Sequence, residues 1–104
     1  MLLKDKVAIV TGAGQGIGAA IAQAYAREGA KVAVVDMNAE AADAVAAGIR
    51  QSGGAAKGFA CNVAERESVD RMASAVAAEW GRVDILVNNA GITRTAMLHK
   101  MTQE

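Results

Sequence analysis

The stretch that decides the fold is Lys6-Val-Ala-Ile-Val-Thr-Gly-Ala-Gly-Gln-Gly-Ile-Gly18. Its first half is an unbroken apolar run, Val7 to Val10, of the kind found in strands covered on both faces rather than strands with one wet face. Glycine stops the run. The second half, Thr11 to Gly18, follows a strand and opens a helix, which is where a backbone must approach a dinucleotide pyrophosphate closely. Each glycine has a steric task there: Gly12 turns the chain sharply, Gly16 removes a side chain that would block the phosphates, and Gly18 lets the helix lie against the strand.

Outward from this stretch the period of apolar residues alternates. Residues 17–28 predict a helix with Ile17, Ala20, Ile21, Ala24 and Tyr25 on its inner stripe, ended by Gly29 in a left-handed cap. Residues 31–35 form a second buried strand that ends at Asp36. An alanine-rich helix over 39–50 stops near Ser52-Gly53-Gly54, and a third strand over 56–61 is weakened by Gly58. Helix 65–80 carries Val69, Met72, Ala73, Val76 and Trp80 on one stripe, with Glu65 and Glu67 near its positive end. After Gly81, strand 83–87 runs into Asn88-Asn89-Ala90-Gly91, and Met97, Leu98 and Met101 are spaced to begin a further helix. The β-α-β-α-β-α-β alternation predicts an α/β fold, a doubly wound parallel sheet of Rossmann type. Its strand order is 3-2-1-4, with a ligand crevice between strands one and four.

The other candidate residues sit at strand ends. Asp36, twenty residues after Gly16, can accept hydrogen bonds from adenosine ribose hydroxyls, and its charge repels a 2′-phosphate. No basic residue follows it in Met37-Asn38-Ala39, so NAD(H) is favoured over NADP(H). Asn62-Val63 offers an amide and a small apolar side chain that suit an adenine ring, although a plain strand end reads the same way. In Asn88-Asn89-Ala90-Gly91, two amides can tie neighbouring strand ends together, and a backbone without bulk lets a cofactor pass.

Taken together, Thr-Gly-x-x-x-Gly-x-Gly, the acid after strand two, Asn-Val after strand three and Asn-Asn-Ala-Gly after strand four resemble the short-chain dehydrogenase/reductase family over nearly the whole chain. The resemblance implies an NAD(P)-binding domain over residues 1–104. It places Gly12, Gln15, Gly16, Ile17 and Gly18 at the pyrophosphate and adenosine side, Asp36 at the ribose and Asn62-Val63 at the adenine. Asn89, Ala90 and Gly91 fall nearer the nicotinamide. The tail from Gly91 to Met101 is similar to 3-oxoacyl-(acyl carrier protein) and acetoacetyl-CoA reductases, while Gln15 and Asp36 depart from the basic pattern of NADPH-dependent members. The resemblance also implies a carbonyl or alcohol substrate and hydride transfer. Family members use a Ser and a Tyr-x-x-x-Lys that follow the Asn-Asn-Ala-Gly segment, and neither is present. No catalytic residue is therefore assigned, and the chain is expected to be the cofactor-binding half of a longer reductase, or a non-catalytic NAD-binding or interaction module. Tyr25 reads as core, Ser52, Ser68 and Ser74 have no base beside them, and His99 has no orienting partner.

Composition narrows the classes further. A chain of 104 residues is one domain and buries about 65% of its unfolded surface. Its apolar content is mostly Ala and Val, suited to helices lying close on a sheet. The formal net charge is zero and no run of like charge is long, which argues against nucleic acid or an anionic membrane as partner. No metal-ligating set is apparent. One cysteine, Cys61, cannot form an intrachain disulfide, no apolar stretch reaches a membrane span, and charge follows too soon after Met1 for a secretory signal. A cytoplasmic protein is expected. Strand four, with Ile85, Leu86 and Val87, leaves an apolar edge that predicts either that the chain is the amino-terminal part of a longer reductase or that it associates through this edge and the helix beginning near Met97, and a homo-oligomer is expected.

Overall fold

The computed structural model describes residues 2–89. Within them strands and helices alternate as expected: β1 Val7–Thr11, α1 Gly16–Arg27, β2 Lys31–Asp36, α2 Ala39–Gln51, β3 Ala55–Ala60, α3 Arg66–Trp80 and β4 Ile85–Asn88. All pairings are parallel and the strand order is β3-β2-β1-β4. The carboxyl ends of β1 and β4 stand side by side, with Thr11 in register with Asn88. Ala90, Gly91, His99 and the helix expected near Met97 lie outside the described residues.

The unbroken apolar runs became the centre of the sheet because both of its faces are covered. Val7 to Val10 and Val32 to Val35 have no exposed surface. On one face Val10, Val32 and Val34 pack with Ala22 of α1 and Ala42, Ala46 and Ile49 of α2. On the other, Val7, Ile9, Ala33 and Val35 pack with Val69, Met72 and Val76 of α3. A fully buried Val or Ile contributes about 1.5–3 kcal/mol relative to an exposed one, so β1 and β2 carry most of the core. The helical alanines chiefly set how close the layers come.

One expectation needs correction. Ile17 and Ala20 were assigned to the inner stripe of α1, yet Ile17 is 74% exposed and Ala20 is exposed as well. The buried positions of α1 are Gly18 and Ala22, with Ile21, Tyr25 and Ala26 packed beside them. Gly18 must press on the glycine turn, and that contact fixes the helix's rotation, carrying Ile17 outward. Gly58, expected to weaken β3, also has a packing role there. A Cβ there would collide with the Asp43 carboxylate and come within 3.0 Å of the Asp43 nitrogen, so the missing side chain is what lets α2 lie on β3.

The boundaries of β4 shifted for a definable reason. Asp84 does not continue the ladder as a strand residue. Its N–H donates to the Val7 carbonyl at 2.9 Å, while its carboxylate accepts the Val7 N–H at 2.8 Å. Asp84 thus closes a corner beneath β1, and the strand proper begins at Ile85. Among the described residues β4 pairs with β1 alone, and its four residues are half-buried.

Candidate functional site

The carboxyl ends of the four strands form a row that follows the sheet order, spanning three strand spacings or about 14 Å. Asn62 follows β3, Asp36 ends β2, the glycine loop follows β1 and Asn89 follows β4. Every candidate position among the described residues falls on this row.

The loop is shaped by close approach and by handedness. Gly12 has φ 63° and Gly16 φ 62°, a left-handed region that a side chain would strain. A Cβ at Gly18 would collide with the Gly12 carbonyl and lie 2.8 Å from Asn89 Nδ2. Gly16 differs, since a Cβ there would meet nothing within 4 Å. Its bare backbone therefore faces open space above the start of α1. Gln15 precedes the helix in extended conformation with no side-chain capping bond, and the first turn carries no acid. The contrast is α2, where Asn38 Oδ1 accepts the Ala41 N–H at 3.1 Å and Glu40 sits in the first turn. The first amides of α1 thus keep their hydrogen-bonding capacity and the positive end of the dipole, and this cradle fits the pyrophosphate of a dinucleotide.

Asp36 lies one strand away with both carboxylate oxygens engaged. Oδ2 accepts the Gly14 N–H at 2.9 Å and Oδ1 accepts the Asn38 N–H at 3.0 Å. Each oxygen retains a lone pair for a hydroxyl donor. On the next strand, Asn62 is held from two sides: its N–H donates to Ser68 Oγ at 3.0 Å, and its side-chain carbonyl accepts the Ala64 N–H at 3.0 Å. That leaves its Nδ2 as the donor it can offer outward. Val63 is half-buried beside it and packs against the α3-side core.

At the other end of the row the amides tie strands together as expected. Thr11 Oγ1 donates to Asn88 Oδ1 at 3.1 Å, and Asn89 Nδ2 donates to the Gly12 carbonyl at 3.3 Å. The sequence reading missed Gly14, Ser68 and Thr11. Ser68 could not have been found, because only the fold brings α3 under the Asn62 turn. Gly14 carried a signal, being a glycine within the run that none of the three assigned tasks used.

Cys61 has no part in this row. It is buried and free, and burial pushes its thiol pKa up against the opposing pull of the Ser68 hydrogen bond and the Arg71 charge. Such a thiol is inert. No group of three or more His, Cys, Asp or Glu is placed to hold a metal among the described residues, and no helix there is long and apolar enough to cross a membrane. Two concavities lie elsewhere, one of about 300 Å³ between α1 and α2 at Gln23, Arg27 and Ile49, the other of about 410 Å³ beside Lys57 and Trp80. Neither is lined by a residue of the glycine loop.

The family model for short chain dehydrogenase matches residues 6–104. The chain belongs to the short-chain dehydrogenase family. Within it, the chain is 57% identical over 100 residues to D-threitol dehydrogenase of Mycolicibacterium smegmatis, covering 96% of this chain and 38% of that protein. It is 46% identical to the 3-oxoacyl-(acyl-carrier-protein) reductase of Vibrio cholerae, covering all of this chain and 41% of the relative. The crystal structure of a hydroxysteroid dehydrogenase from Escherichia coli superposes with a TM-score of 0.82 at 44% identity, over 83% of this chain and 37% of that one. The chain therefore spans about two fifths of the length of these family members, and the fold it shares with them is the amino-terminal part of a Rossmann-like sheet. Short-chain dehydrogenases use NAD(H) or NADP(H), and dehydrogenase relatives act on small alcohol or carbonyl substrates.

Proposed function

We propose that this chain is the NAD(H)-binding part of a short-chain dehydrogenase that moves hydride between the nicotinamide and a carbonyl or alcohol carbon. The observation that carries the NAD(H) preference is the Asp36 carboxylate, fixed by two backbone N–H groups at the end of β2. A ribose with free hydroxyls can donate to it, whereas a 2′-phosphate would meet a fixed like charge. Gly12, Gly16 and Gly18, with Gln15 and Ile17, hold the pyrophosphate and its flank. Asn62 and Val63 take the adenine, and Asn89, followed in the sequence by Ala90 and Gly91, borders the nicotinamide ribose. When bound, the nicotinamide supplies the hydride or accepts it.

Titration of the purified chain with NADH and NADPH tests this reading. Saturable binding with NADH the tighter is expected, and equal or stronger NADPH binding would overturn the preference. The chain alone carries no Ser and Tyr-x-x-x-Lys set, so it is inactive by itself. Cofactor-dependent carbonyl reduction by the 104-residue chain would refute that part. For the longer protein, the 57% identity to D-threitol dehydrogenase favours a polyol over a 3-oxoacyl thioester, and comparing oxidation of C4 to C6 polyols with reduction of acetoacetyl-CoA decides between them. The apolar edge of β4 supports association into a homo-oligomer, and size-exclusion chromatography that returns a monomer would argue against it.

A further inference from the structure

Gly14 is a glycine for a reason different from its neighbours. Its φ does not lie in the left-handed region, unlike Gly12 and Gly16, so handedness is not what requires a glycine there. Space is what forbids a side chain. A Cβ would stand 2.8 Å from the Ala41 Cβ, 2.8 Å from Asp36 Oδ2 and 2.9 Å from Asp36 Cγ. Ala41 cannot easily yield, because it sits on the first turn of α2 with its N–H held by the Asn38 side chain at 3.1 Å. The carboxylate is the part that would move.

We propose that Gly14 is a positioning residue that locks the Asp36 carboxylate between its own N–H and that of Asn38, and so sets the discrimination between NADH and NADPH. The proposal rests on reading Asp36 as the ribose acceptor. A carboxylate free to rotate could swing aside for a 2′-phosphate. One tied by both oxygens, at 2.9 Å to Gly14 and 3.0 Å to Asn38, would have to break two charge-assisted hydrogen bonds to do so. The same lock presents the remaining lone pairs in one orientation, which lowers the ordering cost of engaging a ribose. A glycine inside the phosphate loop thus acts one strand away, through the acid rather than on the phosphates.

The test compares the native chain with Gly14→Ala by titration with NADH and NADPH. Gly14→Ala should raise the NADH Kd roughly tenfold, the size of one charge-assisted hydrogen bond, and the NADPH Kd less than about threefold, moving the ratio towards one. Adding Ala41→Gly gives the new methyl a direction to yield other than into the carboxylate, and should restore part of the preference. A variant that weakens both cofactors in parallel, or keeps the native ratio, overturns the positioning role. If the native chain discriminates in neither direction, the reading of Asp36 fails first and this proposal with it. A separate arm does not depend on Gly14→Ala folding: amide exchange at Gly14 in the unliganded chain should be faster in Asp36→Ala than in the native chain. Equal rates would show that the lock does not exist.

Discussion

The two ends of the sheet are built on opposite plans. At the amino ends of the strands, backbone groups are closed by the protein itself. Asp84 takes the Val7 N–H and returns its own N–H to the Val7 carbonyl, Arg82 forks onto the Asp84 carboxylate at 2.8 and 2.9 Å, and Leu3 and Lys31 bond across to Glu28 and Lys6. At the carboxyl ends, the start of α1 has no capping side chain and no acid, and glycines stand where side chains would fill the space. The lower end thus holds the sheet together, while the upper end gives up part of that stability to amides left open to a ligand. Stability and binding should therefore separate by end.

The largest effect should come where both plans meet. Gly18→Val drives a branched side chain into the Gly12 carbonyl and the Asn89 amide, at a cost of about 3 kcal/mol, with loss of NADH binding. Thermal unfolding and titration on one sample measure the two together. Unaltered stability would break the claim that Gly18 fixes the pitch of α1.

Asp84→Ala sharpens the contrast from below. It strips the Val7 N–H of its acceptor and should cost about 2 kcal/mol, while the NADH Kd of the folded fraction stays where it was. The dependence on pH has a definite sign. The Arg82 hydrogen bond, then the Val7 N–H, hold the Asp84 carboxyl below its ordinary pKa. Its charged form therefore adds stability that is fully present above about pH 3.9, the unfolded carboxyl's pKa, and is lost as pH falls through the lower folded value. Denaturant melts of native chain and Asp84→Ala should converge on acidification below about pH 4. A gap that widens would contradict the assignment.

Gly16→Ala is the mirror of Asp84→Ala. Its φ of 62° makes a side chain cost about 1 kcal/mol, yet the new methyl enters the space above α1 and should weaken NADH at least roughly tenfold. If its stability loss exceeds that of Asp84→Ala while binding persists, the division of labour between the ends is wrong. Arg82→Ala should do least, since the guanidinium is solvated and its pair with Asp84 works at high dielectric. A small fall in melting temperature, less than that of Asp84→Ala, is expected, because the main cause of the lowered Asp84 pKa is removed while the Val7 bond to Asp84 remains.

The strand order and the line of candidate residues followed from the alternation of apolar periods and the crossover rules, because parallel strands buried on both faces leave so plain a signature. Gly12 and Gly18 were legible because a turn and a close helix contact admit no other residue. The face of α1 was misjudged at Ile17 and Ala20, since apolar spacing cannot say which of two adjacent stripes turns inward when a glycine contact fixes the rotation. The packing role of Gly58 was not legible for a related reason, since it resides in Asp43, fifteen residues away.

By itself, then, the sequence determined which segments are strands, that they run parallel, and that their ends line up glycines, an acid and amides. Those depend on local period and local sterics, which travel with the chain. Only the fold brings Gly14 to Asp36, Ser68 under Asn62 and Asp84 beneath Val7. Each of these is a hydrogen bond whose partners come from different turns or elements, and no spacing along the chain encodes the distance between them.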